Sequence, residues 1–194
     1  ILKEAYTILA EKNPKKITPN EIEKYLQNNN ILRPRVMELF KNYRIEWRNP
    51  STHDYQLTFT EQEAFLSIMS VTSFISILLD QMIEKRSFDL VKEKGSSSLE
   101  SMKKYYEQNK DDPLSDIFPY VISGITREFI NNISKEAEPT ERQIMGMLSA
   151  LFQALTPWIV FHEQPILEDG GGRIIPDFFI ERKGEKIILE VKKY

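Results

Sequence analysis

Three polar residues close to the C-terminus, Asp177, Glu190 and Lys192, are of types that could do chemistry together. Along an extended run from Lys186 to Lys193, side chains alternate between faces, so Ile188, Glu190 and Lys192 share one face while Leu189, Val191 and Lys193 share the other. If the preceding chain turns back tightly through Lys183-Gly184, Arg182 pairs with Glu185, and counting inward sets Asp177 directly opposite Glu190. Two carboxylates at a cross-strand pair repel. A divalent cation between them would remove that penalty, and a hard, oxygen-ligated ion such as Mg²⁺ or Mn²⁺ suits the donors.

A second group is Arg48-Asn49-Pro50-Ser51-Thr52-His53. It follows one helical pattern and precedes another, which brings a guanidinium and an imidazole to one end of a helical bundle. The plain structural alternative is a helix C-terminus in which Arg48 caps carbonyls and His53 bonds a backbone group.

The elements that must position these residues can be read from caps and periodicity. Thr18-Pro19 reads as an N-cap followed by a first-turn proline, with Asn28, Asn29 and Asn30 closing the helix, and a further helix is expected from Pro34 to Arg48. Thr60-Glu61-Gln62-Glu63 is a capping box that starts a long helix over about 61–84. Its apolar positions cover more than a stripe, which predicts burial on most sides, as a domain scaffold or a dimer face. Gly95-Ser96-Ser97-Ser98 reads as a linker, and the segments 99–108 and 114–133 as helices, with Pro119 and Gly124 as weak points in the latter. The pair Tyr105-Tyr106 fits packing better than base stacking. Thr140-Glu141-Arg142-Gln143 is another capping box, and Ile144, Met147, Leu148, Leu151 and Leu155 form one apolar helix face. Strands are expected over 158–166, 173–181 and 186–193, with a glycine-rich turn at 168–172, in the order α, β, β, β.

The composition sets bounds. The 194 residues carry a formal net charge of −3, so no bulk positive field grips nucleic acid, and any such contact must be local or metal-assisted. With no cysteine there is no disulfide framework, no thiolate metal site and no cysteine nucleophile, which suits a cytoplasmic protein. No run reaches the roughly 18 uninterrupted apolar residues expected of a membrane span, so no membrane association is expected. The start at Ile1 and the stop at Tyr194, straight after a strand-like run, read as a piece of a longer chain.

Ile175-Pro176-Asp177, twelve intervening residues, then Glu190-Val191-Lys192 resemble the signature of the PD-(D/E)XK nuclease superfamily. The resemblance covers the last 55 or so residues and implies a restriction-endonuclease-like α-β-β-β core, here truncated after its third strand. It further implies Mg²⁺-dependent (or Mn²⁺-dependent) phosphodiester hydrolysis, with Asp177 and Glu190 holding the metal. Lys192 would orient or activate the attacking water and stabilise charge on the phosphate. Glu141, at the start of the preceding helix, is a further acid on the same analogy, with Glu163 as its substitute. Arg48-Asn49 with His53 resembles the HEPN superfamily motif, which implies a metal-independent ribonuclease site shared across a homodimer. In it His53 would be general acid or base, Arg48 would neutralise the scissile phosphate and Asn49 would position the pair.

Together these readings predict a mostly α, α+β chain: an HEPN-like helical domain over 1–86, a helical connector or insertion over 87–138, and a nuclease-like core over 139–194. The expected partners are nucleic acid, DNA ahead of RNA, and a second copy of the chain through the helical N-terminal part. The resemblances imply an endonuclease with a role in bacterial defence against phage or mobile DNA. The alternatives are an HEPN ribonuclease acting through Arg48 and His53, and a non-catalytic dimerisation or binding module.

Overall fold

The computed structural model describes residues 1–13, 17–29, 31–32, 34–49, 58–94, 96–125, 139–154, 159–162, 165–167 and 173–192. Among the described residues it is mostly helical, with antiparallel strands in the C-terminal part, an α+β chain as expected. The chain forms two compact units, Ile1–Met82 and Ile83–Tyr194.

The first unit contains α1 (Leu2–Ala10), α2 (Pro19–Asn28), α3 (Pro34–Tyr43), a π-helical turn (Arg44–Arg48) and the first part of α4 (Glu61–Lys94). At the start of α2, Thr18 Oγ1 accepts from the Glu21 N–H at 3.3 Å while the Glu21 carboxylate accepts from the Thr18 N–H at 2.7 Å. Two otherwise orphaned donors are thereby satisfied, and Pro19 fits a first-turn position that needs no N–H. Ile22 and Leu26, one turn apart on α2, are fully buried with Ala5 of α1 and Leu78 of α4. Glu23 enters this core too, and Arg44 matches it with two hydrogen bonds, Nε to Oε2 at 2.9 Å and Nη2 to Oε1 at 3.3 Å. Arg44 also opens the π turn, whose wider loop closes with the Asn49 N–H donating to the Arg44 carbonyl.

Among the described residues the second unit contains the rest of α4, then α5 (Ser96–Gln108), α6 (Leu114–Ile125), α7 (Glu141–Ala154) and five short strands. Helix α7 carries the centre of the core: Met145, Leu151 and Phe152 are essentially inaccessible, and the Phe152 ring meets Phe178 edge-on at 5.2 Å. At Gly146 a Cβ would fall 2.1 Å from the Glu84 carbonyl oxygen, so α7 crosses α4 closely enough that only glycine fits. Strands β1 (Ile159–His162), β4 (Phe178–Arg182) and β5 (Glu185–Leu189) form one antiparallel sheet in the order β1-β4-β5. Strands β2 (Ile166–Leu167) and β3 (Arg173–Ile174) form a separate two-residue ladder. The expected strands over 158–166 and 173–181 are therefore each split between two sheets. Pro176 lies in the second break, where it has no N–H to give a ladder.

The segment 87–138, expected as a connector, contributes to the same core as the C-terminal elements. Val91, Leu114, Ile117 and Val121 are all buried there alongside Phe178 and Ile180. Tyr105 stacks on Tyr120 at 3.7 Å and Tyr106 is buried, so this aromatic pair packs. Helix α5 begins at Ser96, inside the stretch expected to be a linker. The long helix extends ten residues past its expected end at 84, to Lys94, and it departs from expectation in a second way. Its first turns are not buried: Phe65 and Ile68 are each 61% exposed. By length and composition, the stretch Glu61–Glu93 is also apolar enough to cross a membrane, at a mean hydropathy of 1.6 in its most apolar window. The stretch has no unbroken apolar run of 18 residues, but its scattered serines and threonines lower hydropathy only slightly.

Candidate functional site

The β4–β5 hairpin is built by its turn. Lys183 (φ 50°) and Gly184 (φ 86°) both take left-handed conformations, as a two-residue type I′ connection needs. This fixes the register: Arg182 pairs with Glu185, Glu181 with Lys186, and so on to Phe178 with Leu189. Phe178, Ile180 and Arg182 point into the core. The regular ladder stops there, one pair short of Asp177 and Glu190. Beyond it the two chains stay together because the Val191 N–H donates to Asp177 Oδ2 at 2.6 Å. Asp177 is half-buried, and this bond occupies one of its carboxylate oxygens. Leu189 and Val191 pack against the core, whereas Ile188, Glu190 and Lys192 are exposed. The alternation read from the sequence thus continues past the last formal strand residue.

The closed end of the hairpin is clamped. Arg182, 3% exposed, donates through Nη2 to the Asp112 carbonyl and lies 5.8 Å from the Tyr106 ring. The Glu185 carboxylate, 3.9 Å from Arg182, accepts from the Leu114 N–H at 2.5 Å, which satisfies a first-turn donor of α6. Lys183 reaches Asp111 at 3.2 Å. These groups hold the ladder whose other end carries Asp177; Arg182, Lys183 and Glu185 read from the sequence only as turn and pairing residues, and their contacts with Asp111, Asp112 and Leu114 were not anticipated. Only the odd placement of an arginine in an inward-facing strand position could have marked Arg182.

Asp177, half-buried, and Glu190, exposed, carry hard oxygen donors of the type that Mg²⁺ or Mn²⁺ takes. Among the described residues no three or more His, Asp or Glu side chains gather as a metal-ligand group, so Glu141 does not join the pair. The reason lies in how α7 is used: its Phe152 end meets β4, while Glu141 is exposed in the first turn, roughly 16 Å of helix rise earlier. Its neighbour Arg142 points to Glu84 at 3.9 Å. Glu163 lies outside the described residues.

In the first unit, Arg48 and Asn49 border an open cleft of about 340 Å³. Thr18, Pro19 and Asn20 from the start of α2 form one wall, and Phe40, Tyr43 and Arg44 form another. Arg48 Nη1 donates to Asn49 Oδ1 at 3.1 Å, and both residues end the π turn. Arg44 is already neutralised by Glu23. His53, expected to complete this group, lies outside the described residues. The α2 contribution was not anticipated, because Thr18 and Pro19 read only as cap and first-turn residues.

Compared with family models, curated proteins and solved structures, the chain matches none.

Proposed function

We propose that this chain carries a metal-dependent nuclease centre in which Asp177 and Glu190 hold a divalent ion and Lys192 assists at the phosphate, acting on nucleic acid with DNA as the first candidate substrate. The observation that supports the reading is the β4–β5 hairpin, whose register ends at Phe178 opposite Leu189, next to Asp177 and Glu190, with the Val191 N–H donating to Asp177 Oδ2 just beyond it. That bond leaves the second Asp177 oxygen for a ligand and fixes the carboxylate's direction, as a metal ligand requires. Glu190, on the exposed face, contributes the other oxygen donor. When bound, Mg²⁺ would supply Lewis acidity toward phosphoryl oxygen and a more acidic water. Lys192, two residues on and also exposed, carries the positive charge that would steer the phosphodiester to the pair and stabilise charge developing on its oxygens. A chain with a net charge of −3 needs such a local cation at the point of attack. The test is plasmid cleavage in Mg²⁺ by the full chain. Loss of cleavage in Asp177→Ala and in Glu190→Ala supports the centre, and unchanged cleavage in either refutes it.

A second reading, a metal-independent ribonuclease at Arg48, has one observation in its favour: Arg48 and Asn49 border a cleft of useful size. RNA cleavage that survives EDTA and disappears in both Arg48→Ala and His53→Ala would establish it.

A further inference from the structure

The outward face of the β4–β5 hairpin is not uniformly polar. Ile188 lies on the same face as Glu190 and Lys192 and is 50% exposed. Phe179, its partner across the ladder, is half-buried on the side turned away from the core. An apolar pair thus occupies a step of the ladder beside the acids, with Ile188 about 7 Å along the strand from Glu190. Ile175, two residues before Asp177, is 54% exposed as well. Packing does not call for these residues, because the inner face has its own apolar set in Phe178, Ile180 and Leu189. Nor does a hydrated ion gain anything from a branched aliphatic neighbour.

The substrate supplies a reason. A phosphodiester that reaches the acid pair carries a base at a comparable distance from its phosphorus, and an unpaired base has an apolar face that Ile188 and Phe179 can take out of water. In a duplex that face is already stacked, and exposing it costs unpairing. Charge points the same way. Duplex binding draws on many cations that neutralise phosphates along both strands. This stretch of the hairpin offers Lys186 and Lys192, set against Asp177, Glu181 and Glu190. One strand, held by few charges and by its bases, suits such a surface better than two. We infer that the substrate of the Asp177–Glu190 centre is single-stranded nucleic acid, with Ile188 and Phe179 as the platform for the base beside the scissile phosphate and Ile188 as the specificity-determining residue. The inference rests on the nuclease reading for what the acids do, whereas the platform is tested by binding alone.

Binding is measured first, by fluorescence anisotropy of the full chain in EDTA, where no Mg²⁺-dependent cutting interferes. Labelled single-stranded DNA should bind at least ~10-fold more tightly than a duplex of the same sequence. A strand of equal length made of abasic sites keeps the phosphates, loses the bases and should lose that advantage. Ile188→Ser, a change at a half-exposed side chain, should abolish the advantage with circular dichroism unchanged, and Ile188→Phe should retain it. In Mg²⁺, Ile188→Ser should raise KM for the single strand at least ~10-fold at nearly constant kcat, the split expected of a group that holds substrate away from the reacting atoms. Supercoiled plasmid, which opens locally, should be cut more slowly than the free strand. Duplex bound as tightly as the single strand, an abasic strand that binds like the normal one, or an Ile188→Ser variant that keeps the preference would each overturn the inference. Unchanged cleavage by Asp177→Ala beside an intact single-strand preference would leave the platform standing and remove the nuclease centre instead.

Discussion

The β4–β5 hairpin and the Arg48 cleft are both candidate sites, but they are built at different ranges. The hairpin brings Asp177 alongside Val191 across fourteen residues of chain, through a single turn whose two left-handed residues set every pairing. The cleft joins the start of α2 to the end of the π turn, and its shape depends on how α2 packs against α3 and on a buried Glu23–Arg44 pair. One site follows from local geometry and counting. The other exists only once helices have packed.

The largest effect expected from that contrast is catalytic. Asp177→Ala should lower Mg²⁺-dependent plasmid cleavage by at least ~10²-fold, the scale of losing one charge-stabilising group, while Arg48→Ala leaves it unchanged. Equal losses in both variants would mean that the two regions serve one activity. Next in size is a packing effect. Gly146→Ala forces a methyl group against the Glu84 carbonyl, where backbone cannot give way cheaply, and should destabilise the second unit by about 1–3 kcal/mol. A thermal midpoint within a degree of the unmodified chain would show that α7 and α4 are not in such close contact.

Much of the helical architecture was legible for the same reason as the hairpin. The N-cap at Thr18 and the capping boxes at Thr60 and Thr140 involve residues no more than three apart, and all three form, with Glu21 completing a box at Thr18 that was not read from the sequence. What was not legible depended on tertiary surroundings. The apolar residues of α4 predicted a buried helix, yet periodicity cannot say whether the cover comes from the same chain, so Phe74 is buried and Phe65 is not. The segment 87–138 lacks chemical motifs and read as a connector, although Leu114 and Val121 supply core volume to the C-terminal sheet. Within the site, alternation placed Glu190 and Lys192 on one face, but two opposed acids suggested an ion as the sole remedy. The Val191 N–H takes part of that role by bonding one Asp177 oxygen. Glu141 was assigned by analogy alone, with no spacing to bring it near the pair.

Smaller effects separate how each site is braced. Glu23→Gln keeps the shape but removes the charge that neutralises Arg44, leaving a part-buried guanidinium without its ion partner; about 1–3 kcal/mol of stability should be lost from the first unit. Plasmid cleavage at the hairpin should not change. If it does, the cleft and the acid pair are coupled. The smallest effect concerns the cap that forms one cleft wall. Glu21 accepts from the Thr18 hydroxyl and N–H, which hold its carboxyl below the ordinary range. A carboxyl whose folded value is depressed adds stability above its unfolded value and loses it as pH falls through the folded one. The α2 start should therefore loosen only in acid, below the usual Glu range, and Glu21→Gln should remove that dependence without moving the neutral-pH baseline far. Amide exchange at Glu21 and Ile22, followed from neutral pH into acid in both forms, measures it. Parallel acid profiles in the two forms would show that the Thr18–Glu21 cap contributes nothing to the wall of the cleft.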